Sequence, residues 1–182
     1  MKIGLVRHLR VDYKNYDPIY FPDTYRHVMK AYDNAEIVIG NTYLDGIDWQ
    51  ICFCSSLKRA VETAHQIYKK EIIITDLLRE VSLSPFTDRE IKLPWFVWHV
   101  GARIAWARNS KSQEETRIET YKRIEKLYSQ ILAAGKENIL IVSHGFFMKC
   151  FSRFLTEKNF KGSIDNLPRN GKLYIFENVN RS

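Results

Sequence analysis

The sequence predicts an α/β fold: a three-layer α/β/α sandwich around a mostly parallel, mixed β-sheet. Three observations predict it. Short aliphatic runs alternate with amphipathic helical patterns along the chain, the order that builds parallel sheets. Two of those runs end in a histidine at a strand-to-loop junction, Leu5-Val6-Arg7-His8 and Ile141-Val142-Ser143-His144-Gly145. The 182 residues, 45% hydrophobic and 27% charged, match one domain over 1–182 with a single substantial core.

Lys2 to Val6 is short, aliphatic and uninterrupted, as a strand buried on both faces should be. Leu9 to Phe21 is a polar, tyrosine-rich loop. Pro22 opens a helix to about Tyr32, with Asp23 favourable to its dipole. Asn41 to Trp49, containing Asp45-Gly46, is a loop. Gln50 to Cys54 is the second strand, and Ser55 or Ser56 can cap the helix after it. Leu57, Ala60, Val61, Ala64 and Ile67 keep helical spacing to about Lys69. Glu71 to Thr75 is a third, β-branched strand, followed by Leu77 to Glu80 entering a loop.

Pro94 to about Arg108 is helical and rich in tryptophan. The longest helix starts at Ser112, buries Ile118, Tyr121, Ile124 and Leu127 on one face, and stops at Gly135. Asn138 to Val142 is a strand, Phe146 to about Leu155 a helix, and Lys172 to Glu177 a final strand after the turn at Pro168 to Gly171.

A net charge of +7 suits anionic partners. The basic residues are dispersed with no run of five, so no nucleic-acid partner is expected. Leu93 to Ala107, the most apolar stretch, carries His99 and Arg103 and is too short to span a bilayer. No stable membrane association is expected. Cys52, Cys54 and Cys150 are an odd count without metal-ligand spacing. Packed free thiols and no signal peptide point to the cytoplasm. The sequence carries no signal for an oligomeric state.

If the strands ending at Arg7-His8, Cys54 and Ser143 are neighbours, then Arg7, His8, Arg59 and His144 meet at the carboxyl edge of the sheet, where open α/β folds bind ligands. Two guanidinium groups and two imidazoles make a pocket for a phosphoryl group. An imidazole is a capable nucleophile toward phosphorus, and an arginine fork holds phosphate bidentately. Glu80, at a loop start on the same side, has the chemistry to protonate a leaving oxygen. Each of these residues alone is also met in purely structural settings.

In order, the motifs are Arg7-His8, Ser55-Ser56-x-x-Arg59-Ala60-x-x-Thr63-Ala64, Leu78-x-Glu80 and Ser143-His144-Gly145. Together they resemble the histidine phosphatase superfamily, which includes cofactor-dependent phosphoglycerate mutases and many phosphatases. The resemblance runs from Lys2 to about Glu177. It implies a phosphoglycerate mutase-like fold and His8 as nucleophile. It further implies Arg7, Arg59 and His144 as phosphate pocket, Glu80 as proton donor, and no metal or organic cofactor.

The chain also departs from the family pattern. Leu9 replaces the glycine that usually follows the histidine, Val11 replaces a hydroxyl residue, and Lys14 falls about where an asparagine is usual. Arg10 and Lys14 are expected to compensate with charge and bind a more anionic substrate. Residues 86–110 match the insertion that lies over the pocket in this family, a lid-like segment with Arg89, Lys92, Arg103 and Arg108 among Trp95, Phe96, Trp98 and Trp106. Its aromatics either contact a leaving group or bury area against the domain. The expected activity is metal-independent hydrolysis of a small phosphorylated substrate through a phosphohistidine. The alternatives are phosphoglycerate mutase-type transfer and a catalytically weak module that binds a phospholigand.

Overall fold

A computed structural model describes residues 1–14 and 17–178 of the chain. Its elements, in order, are β1 (Lys2–Arg7), β2 (Ile19–Tyr20), α1 (Pro22–Asn34), β3 (Ile51–Ser55), α2 (Lys58–Ile67), β4 (Ile72–Thr75), β5 (Leu93–Pro94), α3 (Trp95–Ala107), α4 (Arg117–Ala133), β6 (Asn138–Ser143), α5 (Gly145–Glu157), β7 (Phe160–Gly162) and β8 (Leu173–Asn178). A single 3₁₀ turn, Asp76–Leu78, follows β4.

Six strands form one sheet in the order β4-β3-β6-β1-β8-β7. The first four are parallel, and β8 and β7 add antiparallel edges. The sheet is therefore mixed and mostly parallel. Register places Arg7 beside Ser143 and Cys54 beside Val142. The ends of β1, β3 and β6 thus lie together on one edge.

Side chains alternate across the sheet and supply two cores. Ile3, Leu5, Phe53, Ile139 and Ile141 pack against Ile124, Leu127, Phe147 and Phe151 of α4 and α5. Val6, Cys52, Cys54, Leu140 and Val142 pack against Ala60 and Ala64 of α2. A third, smaller cluster lies apart: Tyr20, Tyr25, Leu83, Trp98 and Ala102 join α1 to α3. The three cysteines are buried free thiols, and burial raises the thiol pKa of each. Among the described residues no helix is long and apolar enough to cross a membrane.

Several boundaries differ from the sequence expectation, each for a local reason. The long helix begins at Arg117, not Ser112, because Thr116 and Glu119 form a reciprocal capping box. Ser110 and Ser112 bond each other instead, 3.0 Å apart. Neither Ser55 nor Ser56 is the N-cap of α2; that position is Leu57, with no side-chain cap. Ser55 reaches the Leu57 N–H at 3.3 Å, and Ser56 bonds Asp76. The strands β2, β5 and β7 were not expected. They are two or three residues long, too short to show a period of two. β2 falls in the predicted loop from Leu9 to Phe21, of which residues 15–16 lie outside the described residues.

Candidate active site

The backbone fixes the first histidine from both sides. The His8 N–H donates to the Ser143 carbonyl at 2.9 Å, and Asn170 Nδ2 donates to the His8 carbonyl at 2.7 Å. The next residue, Leu9, donates its N–H to Thr63 Oγ1 at 2.9 Å. A leucine fits where the family usually has glycine because its backbone is not left-handed and its side chain fills a slot beside two glycines. A Cβ on Gly171 would come within 3.0 Å of Leu9 Cδ2, and one on Gly40 within 3.4 Å. Val11 is buried and bridges Ile37, so it serves packing where a hydroxyl would serve phosphate.

The bonding fixes the state of the His8 ring. Nδ1 lies 2.6 Å from the Leu9 carbonyl, and a carbonyl only accepts, so Nδ1 carries the proton. Arg59 Nε donates to Nε2 at 3.2 Å, which leaves Nε2 as the lone-pair nitrogen. His8 is 2% exposed. Burial, reinforced by Arg59 and then Arg7 and opposed by the Leu9 hydrogen bond, lowers its pKa to about 3. At neutral pH His8 is thus an uncharged imidazole whose lone-pair nitrogen, Nε2, becomes nucleophilic once the Arg59 bond is released.

Arg59 sits in the first turn of α2 and is 1% exposed. Its Nη1 pairs with Asp33 Oδ1 at 2.8 Å, and the Tyr32 ring lies 5.3 Å from its Cζ. Arg7 Nη1 donates to the Pro168 carbonyl at 2.8 Å. His144 is fully buried, its ring 5.1 Å from that of His8, and its Nε2 is 2.7 Å from Ser55 Oγ. Burial lowers its pKa well below the ordinary value, and the Arg59 charge adds to the effect. Two buried polar atoms here, Arg7 Nε and His144 Nδ1, have no protein partner. Buried polar groups normally have one, and the unpartnered Arg7 Nε–H is a donor suited to an anion.

Glu80 caps the N-terminus of α5. Its carboxylate accepts the N–H groups of Phe147 at 2.8 Å, Phe146 at 3.1 Å and Val81 at 2.9 Å. Oε1 accepts two of these bonds and Oε2 only one, so Oε2 keeps a lone pair that can carry a proton to a leaving group.

A cavity of about 1090 Å³ opens over these residues, lined by Arg7, His8, Arg59 and Glu80. The structure therefore brings together four of the predicted site residues on its wall. His144 stands directly behind His8 and does not line the cavity. Arg10 and Lys14 do not line this cavity; they line an adjoining one of about 310 Å³ that shares Tyr13 and Tyr32 with it. Of the insertion, Trp95, His99 and Arg103 of α3 face the main cavity, while Trp98 and Trp106 are core. Among the described residues no group of three or more His, Cys, Asp or Glu is arranged to hold a metal ion.

Asp33, Thr63, Ser55 and Asn170 were not singled out from sequence as contacts of the pocket. Ser55 and Thr63 belong to the second motif. No sequence signal marked Asp33 or Asn170, whose partners are 26 and 162 residues away.

The fold and motifs have known counterparts. A solved structure from Escherichia coli K-12, described as an alpha-ribazole-5'-P phosphatase, is 20% identical with a TM-score of 0.51, covering 85% of this chain and 79% of its own. A mycobacterial glucosyl-3-phosphoglycerate phosphatase is 17% identical with a TM-score of 0.53, covering 86% and 79%. The alpha-ribazole phosphatase of Shigella flexneri is 16% identical with a TM-score of 0.53, covering 100% and 96%. No curated protein matches the sequence. The family model for the histidine phosphatase superfamily, branch 1, matches residues 38–179. This chain belongs to the histidine phosphatase superfamily and is a phosphoric monoester hydrolase of the histidine phosphatase type.

Proposed function

We propose that the protein is a metal-independent phosphomonoesterase that works through a phosphohistidine on a small, anionic organic phosphate. The observation that carries this reading is His8: neutral, with its tautomer fixed, and flanked by Arg7 and Arg59 on the wall of the cavity. In the first step Arg7 and Arg59, which line the cavity, hold the phosphoryl oxygens, and His144 supports the His8 ring from behind. Nε2 of His8 bonds to phosphorus, the P–O bond to the leaving group breaks, and Glu80 gives that oxygen a proton. In the second step water attacks phosphorus and passes its proton to Glu80. The P–N bond breaks, its electron pair returns to Nε2, and phosphate leaves. Preorganised cationic donors supply the largest share of the acceleration.

Charge on the cavity wall supports an anionic leaving group. Arg26, Arg59, Arg79 and Arg123 each have a carboxylate partner. Among the described residues, Arg7, Lys30 on α1 and Arg103 on α3 line the cavity with no ion-pair partner within 4.0 Å, though the Glu80 charge acts on Arg103. Arg103 is mostly buried, stacked 3.6 Å over the Phe146 ring, and a buried cation calls for a counter-charge. Asp17 and Glu114 also line the cavity but are exposed, where water screens them. The volume suits a phosphate ester on a small organic body such as the relatives' names describe. Buried free thiols fit a reducing compartment, and we place the protein in the cytoplasm.

The test is hydrolysis of a generic aryl phosphate at mildly acidic pH with EDTA present, wild type against His8→Ala. Turnover by wild type that vanishes in the variant is expected, with a trapped ³²P-phosphoenzyme seen only in wild type. Equal turnover in both sinks the nucleophile assignment. Phosphate binding without turnover favours the phospholigand-binding reading, for which the Arg59 bond capping Nε2 is the supporting observation.

A further inference from the structure

We propose that Asp33 is a positioning residue for the phosphoryl clamp: it orients Arg59 against His8 and moderates the charge Arg59 presents to the phosphate. The inference rests on the hydrolase reading of the site.

Asp33 lies in the last turn of α1, where a carboxylate opposes the helix dipole. Local helix physics therefore gives no reason for an acid there. Its partner does: Asp33 Oδ1 holds Arg59 Nη1 at 2.8 Å, and the Asp33 carbonyl lies 3.4 Å from the same nitrogen. The Tyr32 ring, one residue earlier, sits 5.3 Å from the guanidinium. One helical turn thus grips one end of a buried arginine. The other end, Nε, donates to His8 Nε2 at 3.2 Å.

The geometry divides the work within the guanidinium. Asp33 takes Nη1, so the side-on fork of Nε and Nη2 is the edge turned to the nucleophile and to a phosphoryl group. The carboxylate also competes with phosphate for the same cation. The side chain of Asp33 is 43% exposed while that of Arg59 is 2% exposed. Losing Asp33 therefore leaves a buried guanidinium with an extra unit of uncompensated charge and no fixed orientation.

These two consequences have opposite signs, which separates positioning from general support of the fold. In Asp33→Ala, turnover falls about 10- to 100-fold through loss of alignment. Inorganic phosphate, measured by calorimetry, binds roughly three- to tenfold tighter because the competing charge is gone. Asp33→Asn keeps an acceptor for Nη1 without the charge, so it recovers most of the turnover and keeps the tighter phosphate binding. The His8 Nε2 nitrogen resonance, which reports the Arg59 bond, shifts in Asp33→Ala and returns in Asp33→Asn.

An unshifted resonance in Asp33→Ala, or phosphate affinity that falls in step with turnover, overturns the proposal. If wild type turns over no phosphate ester, the hydrolase reading fails by itself. The resonance and the phosphate affinity then still decide the role of Asp33.

Discussion

His8, Arg59 and His144 stand at the ends of β1, the start of α2 and the end of β6, each carried by an element anchored in the two large cores. Trp95, His99 and Arg103 hang instead from α3, whose inner face contributes Trp98 and Ala102 to a cluster of five buried hydrophobics. The pocket floor is thus set by sheet register, and the roof by a small satellite core, with Trp106 tying the end of α3 to the main core. A one-residue slip of β1 against β6 would disrupt the whole fold, whereas the roof can be reshaped without touching the sheet. The contrast assigns reaction chemistry to the rigid region and substrate choice to the adjustable one.

Breaking the floor should cost most. His8→Ala is expected to lower turnover by about 10⁴ or more, with a melting temperature near or above wild type, since a buried polar ring is removed along with its desolvation cost. Arg59→Ala should cost about 10²–10³ in kcat, the loss of one preorganised donor. Steady-state kinetics on an aryl phosphate checks both. A loss in Arg59→Ala confined to KM would remove Arg59 from the transition state.

Acid should also strike the floor. His8 has its pKa lowered to about 3, and His144 is lowered well below 6.5, both mainly by burial. In the unfolded chain both titrate near 6.5. Between those values the unfolded state binds more protons, so stability is full above about pH 6.5 and declines as pH falls toward 3. From pH 7 to pH 5 His8 should remove about 2 kcal/mol, and His144 acts with the same sign. His99 in the roof is lowered to about 4 by burial and by Arg103, with the same sign. Denaturant melts at pH 7, 6 and 5 check this, and a stability that holds flat would mean that the buried imidazoles are not neutral.

What the sequence disclosed follows the same division. The strand ends Arg7-His8 and Ser143-His144 were legible because uninterrupted aliphatic runs mark buried parallel strands, and parallel register then aligns their carboxyl ends. Glu80 was legible as a site residue, but not as the cap of α5, since capping depends on how the loop after β4 meets a distant helix. That Arg10 and Lys14 line the adjoining cavity and not the main one was not legible, because charge alone does not show that the chain at Val11 pairs with Ile37. Asp33 and Asn170 stayed hidden since their contacts join irregular segments without a periodic signal.

Arg103 sharpens the comparison at lower cost. Arg103→Ala should raise KM about tenfold for an aryl phosphate bearing a carboxylate, the loss of one charged contact. The effect on the uncharged parent ester should be smaller. Equal losses on the two substrates would make Arg103 a support for Phe146 rather than a substrate contact.

The outer face of α3 should show the smallest effect. Phe96, Val100 and Ile104 recur every fourth residue and are 66%, 55% and 46% exposed. Trp98 and Ala102, on the inner face, are fully buried. Exposed apolar side chains singly add little to stability. Replacing Val100 and Ile104 with threonine should therefore change unfolding free energy by no more than about 0.5 kcal/mol each, while Trp98→Ala costs about 3–5 kcal/mol. The melts should also be independent of protein concentration. A melting temperature that rises with concentration in wild type and not in the threonine variant would show that the roof is completed by a second copy. The satellite core would then be only half of what holds the roof in place.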